Sequence, residues 1–190
     1  MRLPLCVRID ADDKRSADAL KADGWREIET LEVWGAELNP SGQISHYARQ
    51  AVKGDNLRCQ QIAQKACVFD RLHRDEKVDP CDADEFKRTE VNEAFTNRLN
   101  DVIVYQNGGQ VQGFIIVRLE YLTIHVDLIA VDPSHAKKGI GKDLLFTAIC
   151  VNGARQRWVR AGTQGHNVPA RALYKSCGLS ILSRYRTWHK

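Results

Sequence analysis

The chain has 190 residues, 43% hydrophobic and 27% charged, enough for one globular core with a small appended subdomain. A net charge of +4 and a pI near 8.8 suit an anionic small ligand; with no Lys/Arg stripe interleaved with aromatics, they argue against a nucleic-acid partner. No apolar run reaches the length of a bilayer span or a signal h-region, and the six cysteines (Cys6, Cys59, Cys67, Cys81, Cys150 and Cys177) contain no CxxC pair, so a cytoplasmic protein with reduced thiols and no membrane partner is expected.

Residues 3–9 are predicted as a strand and Lys14–Ala22 as a helix stopped by Gly24. Residues 25–38 place Trp25, Ile28, Leu31 and Val33 in an alternating pattern that fits a half-buried strand. The pattern then fades, and residues 39–54, opening on Asn-Pro-Ser-Gly, read as a turn or linker. Residues 55–69 read as a helix capped by Asp55 or Asn56, with Leu57, Cys59, Ile62, Ala63, Ala66 and Cys67 on its apolar side. The charge-dense stretch 70–84 reads as a surface loop, and residues 85–99 as a helix with Phe86, Val91, Ala94 and Phe95 inward. Strands follow at 102–105 and 111–119, joined by an Asn107-Gly108-Gly109 hairpin turn, and at Thr123–Val131, ended by Asp132-Pro133. A helix at 141–154, a strand at 157–162, a helix at 168–177 and a strand at 179–189 complete the chain. This alternation predicts a mixed α/β sheet, with residues 1–54 as an N-terminal β-α-β subdomain and 55–190 as the main domain. Val7-Arg8, Gly24 and Trp34 echo Val159-Arg160, Gly178 and Trp188, with a Gly-to-Trp spacing of ten in both. Two ordinary β-α-β units account for the echo, as does a degenerate half-copy that lacks a counterpart of Tyr174 and of the glycine turn described next.

Two stretches carry chemistry. Lys137-Lys138-Gly139-Ile140-Gly141-Lys142 follows a strand and opens a helix. A helix N-terminus offers unpaired N–H groups and a favourable dipole to a pyrophosphate such as that of coenzyme A, the glycines let backbone approach it, and the lysines add charge. A plain glycine-rich cap has the same appearance. The second stretch runs from Thr163 to Leu179 and holds Asn167, Ala170, Leu173-Tyr174 and Gly178-Leu179 in order. Together, residues 126–178 resemble motifs A and B of the GNAT acetyltransferases.

The resemblance implies a GNAT fold, an α/β (α+β) arrangement with a mixed, mostly antiparallel sheet flanked by helices, and acetyl-CoA as acetyl donor, with no metal. It implies that the backbone amides of Lys138, Gly139, Ile140, Gly141 and Lys142, with Lys137 beside them, bind the pyrophosphate. Ile129, Ala130 and Val131 would pair with the pantetheine arm, Asn167 would contact it, and Tyr174 would sit next to the thioester sulfur as general acid. A neutral amine attacks the thioester, backbone N–H at a strand bulge can hold the oxyanion, and a phenol can protonate the departing thiolate. Tyr174 also has the look of a core aromatic. His125 and Asp127, two apart on one strand, are the base candidates, though structural roles suit both.

Residues 5–38, the 69–75 segment and the closing Tyr185-Arg186-Thr187-Trp188-His189 resemble dTDP-fucosamine acetyltransferase-like enzymes. That likeness implies an acceptor amine on a nucleotide-linked deoxysugar, with Arg71, His73 and Arg74 as phosphate or sugar contacts; a solvated charged loop is the competing reading. Asp70 stands where those enzymes have serine and Leu72 where they have phenylalanine. Alternatives are a GNAT enzyme acting on a protein N-terminus, polyamine, amino acid or aminoglycoside, and a non-catalytic acetyl-CoA-binding module. A small-molecule amine is the expected partner, and a homodimer is left open as the assembly. Histidines show no HxH or HExxH spacing, and no GxSxG or Cys/His nucleophile signature occurs.

Overall fold

A computed structural model describes residues 3–38 and 44–190. In chain order the elements are β1 (Cys6–Asp10), α1 (Lys14–Ala22), β2 (Arg26–Glu37), β3 (Ala48–Gln50), α2 (Asn56–Ala66), α3 (Arg71–Arg74), α4 (Pro80–Thr96), β4 (Asn100–Asn107), β5 (Gln110–Glu120), β6 (Thr123–Val131), α5 (Ile140–Asn152), β7 (Trp158–Gln164), α6 (Val168–Ser176) and β8 (Ser180–His189). The strands are ordered β1-β8-β2-β7-β6-β5-β4-β3 in one sheet. β1/β8, β3/β4, β4/β5 and β5/β6 pair antiparallel, whereas β6/β7 are parallel, which is the mixed, mostly antiparallel arrangement expected. No helix among the described residues is long and apolar enough to cross a membrane. The chain divides into two compact units.

One unit comprises Gly35–Val68 and Asp84–Ala161. Its central strands β4 and β5 are continuously apolar because both faces are covered, and Val102, Ile103, Val104, Phe114, Ile115, Ile116 and Val117 are all buried. Cys59, Ile62 and Ala63 of α2 and Val91 and Ala94 of α4 pack with Val104, Phe114 and Ile116 on one face. On the other, α5 brings Ile140 and Leu144 against Gly113, where a Cβ would meet Ala130 O and Ile140 Cγ2 at 3.0 Å each. Glycine in this strand therefore lets the helix and the sheet close together.

The other unit comprises Met1–Trp34, Phe69–Ala83 and Gly162–Lys190. Ala17, Trp34, Leu72, Tyr174, Leu179 and Trp188 are buried within it. The two strand–helix–strand segments that echo in sequence also match in form. α1 and α6 each have nine residues, and each is followed by a glycine in the left-handed region, Gly24 (φ 78) and Gly178 (φ 82).

Two expectations are corrected. Of the 39–54 linker, residues 39–43 lie outside the described residues, but Ala48–Gln50 is an edge strand paired with β4. Its polar links hide it from a hydrophobicity pattern: Arg49 donates to Asp55 (2.8 Å) and to Gln106 (2.8 Å). The 70–84 surface loop is α3 followed by the start of α4. Asp70 accepts from the backbone N–H of Leu72 and His73 at 2.8 and 3.1 Å, Asp79 accepts from Cys81 N at 2.8 Å, and Leu72 and Ala83 are buried. The acidic residues that made this stretch look like a loop serve as helix caps.

Candidate active site

The glycine turn lies between β6 and α5. Lys137 has φ +62 and Gly139, the N-cap of α5, has φ +82, so two left-handed residues alternate through the turn, a backbone pattern of the kind that forms anion-binding concavities. A Cβ at Gly139 would meet nothing within 4 Å, which leaves open space over the helix terminus. Lys137, Lys138 and Lys142 are exposed, while Ile140 is buried and anchors the turn. The turn begins at Asp132, whose carboxylate accepts from Ser134 N (3.0 Å), Ser134 Oγ (2.6 Å) and Arg58 Nη2 (2.5 Å). Those hydrogen bonds, led by Ser134, hold its pKa at about 2 against the opposing effect of burial. Arg58 also donates to Val111 O at 3.1 Å, tying α2, β5 and the turn together. The geometry fits a pyrophosphate.

β6 supplies the second element. Its parallel pairing with β7 runs from Thr123↔Trp158 to Val126↔Ala161 and stops, so residues 127–131 continue beyond the last pair. On the β5 side Val126 opposes Val117 and Leu128 opposes Ile116, which makes Asp127 the extra residue of a β-bulge. A bulge turns one N–H out of the ladder, directly before the Ile129, Ala130 and Val131 stretch implied in pantetheine pairing. The base candidates flank it. Asp127 is bound by Arg118 (Nε to Oδ2, 3.2 Å), and Arg118 also pairs with Glu120. His125 is half-buried with Nε2 3.9 Å from Glu120 Oε2, and burial, then Arg118, moves its pKa below 6.5.

Asn167, Tyr174, Arg71, His73 and Arg74 belong to the other unit. Asn167 is the N-cap of α6, its side-chain oxygen accepting from Ala170 N at 3.2 Å, which leaves the amide NH₂ as donor. Tyr174 is 2% exposed, with its ring centroid 6.2 Å from that of Trp34 on β2. Its backbone carbonyl accepts from Cys177 N and Leu179 N, and Gly178 in the left-handed region closes the helix end. Beside it Glu32, 4% exposed, accepts from Arg171 Nε (2.9 Å), Arg184 Nε (3.2 Å) and Trp34 Nε1 (3.2 Å), fastening α6 and β8 to β2.

Of the α3 residues, only Arg74 is exposed. Arg71 donates to His189 Nε2 at 3.1 Å, His189 Nδ1 donates to Asp75 at 2.8 Å, and Asp75 is paired with Arg26 at 2.8 Å. His73 Nδ1 lies 3.1 Å from Asp70. Sequence reasoning missed Gly113, the Arg58–Asp132 pair and the acids Glu29 and Glu32. A glycine inside an apolar strand was the available signal for the first; long-range charge pairs leave none.

No disulfide joins the six cysteines, and no group of three or more His, Cys, Asp or Glu suited to a metal occurs among the described residues. No curated protein matches the chain. Among solved structures, a GCN5-related N-acetyltransferase from Sphaerobacter thermophilus is similar in fold, at 18% identity and a TM-score of 0.69 over 98% of this chain and 60% of that one. A tandem GNAT protein from the clavulanic acid biosynthesis pathway matches at 14% identity and a TM-score of 0.64, over 100% of this chain and 64% of that one. The chain thus spans about two thirds of the length of these two structures. The PaiA N-acetyltransferase of Thermoplasma acidophilum, solved in complex with coenzyme A, matches at 15% identity and a TM-score of 0.59, over 75% of this chain and 97% of that one. The model of the acetyltransferase (GNAT) family matches residues 68–179, more than half of the sequence. The chain belongs to that family of acyltransferases, whose acetyl donor is acetyl-CoA.

Proposed function

We propose that the chain transfers the acetyl group of acetyl-CoA directly to a primary amine, and that the amine is carried by a nucleotide-linked aminodeoxysugar. The observation that supports transfer most is the succession of a bulged strand, a positive-φ glycine turn and a helix N-terminus in one unit. In this reading the amides of Lys138 to Lys142 and the Lys137 side chain hold the pyrophosphate, and the N–H and C=O groups of Ile129 to Val131 pair with the pantetheine amides. The Asn167 NH₂ adds a donor to the same arm. The amine nitrogen attacks the thioester carbon, and the bulge N–H groups near Asp127 stabilise the oxyanion. The C–S bond then breaks, and the Tyr174 hydroxyl protonates the thiolate. On β6, His125 is the better base candidate, because the Asp127 carboxylate is neutralised by Arg118.

The acceptor assignment has separate support. α3 carries Arg71, His73 and Arg74 in one short helix, and the positive charge of Arg74 reaches His166, next to Asn167. The Arg71 and Arg74 guanidiniums grouped there suit a sugar-linked pyrophosphate. The test is thiol release from acetyl-CoA against a panel of dTDP- and UDP-aminosugars, polyamines, amino acids, aminoglycosides and peptide N-termini. Turnover highest with a nucleotide aminosugar is expected. Turnover confined to another amine removes the sugar assignment, and coenzyme A binding with no turnover on any amine removes the enzymatic one.

A further inference from the structure

We propose that Glu29 receives the acceptor, its carboxylate binding the ammonium group of the amine and taking a proton from it, within a cluster formed with Arg8, Asp70, Arg71 and Gln164. The assignment rests on the acetyltransferase reading above.

Glu29 lies on β2, is 6% exposed, and neither of its carboxylate oxygens has a hydrogen-bond partner. A buried carboxylate without donors is costly, and native structures satisfy the large majority of buried side-chain polar atoms. The contrast with Glu32, three residues along the same strand, is direct, since Glu32 has three donors and binds two helix and strand neighbours. The cations around Glu29 are engaged elsewhere: Arg8 Nε donates to Thr187 Oγ1 at 3.3 Å, and Arg71 donates to His189 at 3.1 Å. Gln164 favours the charged form of Glu29 but makes no hydrogen bond of ordinary geometry with it. The carboxylate therefore lacks a donor that the protein does not supply, and an alkylammonium brings three.

Its position is suited to the reaction. The carbonyl of Thr30, the next residue, accepts from Gly165 N at 2.8 Å, which joins β2 to the loop ending at Asn167. A group that deprotonates an ammonium must also hold a proton near neutrality. Burial pushes the Glu29 pKa up to about 7; the Arg8 charge and Gln164 oppose this, Asp70 adds to it, and Arg71 opposes it.

The protons balance. Glu29 takes one from R–NH₃⁺, and the neutral amine attacks the thioester. On collapse the C–S bond breaks, the second proton passes from the amide nitrogen by way of Tyr174 to the thiolate, and Glu29 returns its proton to water.

Glu29→Gln is the test, with Glu29→Asp as the variant that keeps the acid. On the best amine of the panel, Glu29→Gln is expected to lose about 10²–10⁴-fold in kcat/KM and the ionisation limb near pH 7, with acetyl-CoA affinity unchanged; Glu29→Asp is expected to keep the limb. Cyclohexylammonium titrated calorimetrically into the coenzyme A-loaded protein is expected to bind about tenfold more weakly to Glu29→Gln than to the unaltered chain. A Glu29→Gln protein with an unaltered pH profile overturns the proposal, as does equal or absent cyclohexylammonium binding in both proteins. Cyclohexylammonium binding lost in Glu29→Gln, with no turnover of any amine by the unaltered chain, supports the ammonium site and counts against the acetyltransferase reading.

Discussion

Glu29→Gln carries a second consequence, in stability alone, that does not depend on any substrate. An exposed glutamate ionises near pH 4.5, whereas Glu29 in the fold ionises at about 7 because burial disfavours its charge. The folded chain therefore binds this proton more tightly than the unfolded chain does. The stabilisation is complete below pH 4.5 and is lost as pH rises through about 7. Above that, the fold contains a carboxylate that is 6% exposed and without donors. The gap between 4.5 and about 7, at ~1.36 kcal/mol per pH unit, corresponds to about 3 kcal/mol. For a domain of this size, that is roughly 6–12 °C in Tm. Differential scanning calorimetry of both proteins from pH 4 to 9 should show Glu29→Gln gaining on the unaltered chain as pH rises, most steeply between about pH 4.5 and 7. A pH-independent offset from burying the amide is compatible with this. A difference that does not vary with pH, or one that grows in favour of the unaltered chain at pH 9, refutes the reasoning.

Four further outcomes are expected. Tyr174→Phe should lower turnover by about 10²–10⁴-fold with acetyl-CoA affinity nearly unchanged, measured by thiol release and calorimetry; unaltered turnover removes the proton-donor role. Gly139→Val places a β-branched residue at φ +82, at a conformational cost of about 1–2 kcal/mol, and should weaken coenzyme A binding by tenfold or so in equilibrium titration. Gly113→Ala puts a Cβ 3.0 Å from Ala130 O and Ile140 Cγ2, so a loss of about 1–3 kcal/mol in urea unfolding should accompany weaker coenzyme A binding. Asp75→Ala removes the partner of Arg26 and His189 and should cost about 3 kcal/mol at pH 7. Burial pushes the Asp75 carboxyl up, but Arg26, Lys77 N and His189 outweigh it and hold it well below 3.8, so the loss should shrink in melts run below about pH 4.

The glycine turn and the strand before it were legible because their structure is set locally. Residues 137–142 place glycine and lysine where a turn and a helix terminus need them, and the predicted Thr123–Val131 strand agrees with β6 to the residue. Lys14–Ala22 was legible for the same reason, with Asp13 capping it and Gly24 beyond its end. The 70–84 segment was not, because Asp70 and Asp79 look alike as solvated charges and as caps, and only the backbone conformation distinguishes the two.

The sequence by itself determined which residues form the glycine turn and the α6 motif, and through them the family, since each is set by contacts within a few positions of chain. Tertiary structure alone decided the rest. It inserted β2 beside β8 in the strand order, gave β6 its bulge at Asp127, and left Glu32 with three donors and Glu29 with none. Two glutamates three positions apart carry the same side chain and the same intrinsic pKa. Their difference comes from partners more than a hundred residues away, Arg171 and Arg184, which reach Glu32 and leave Glu29 buried without a donor, and no local pattern encodes that choice.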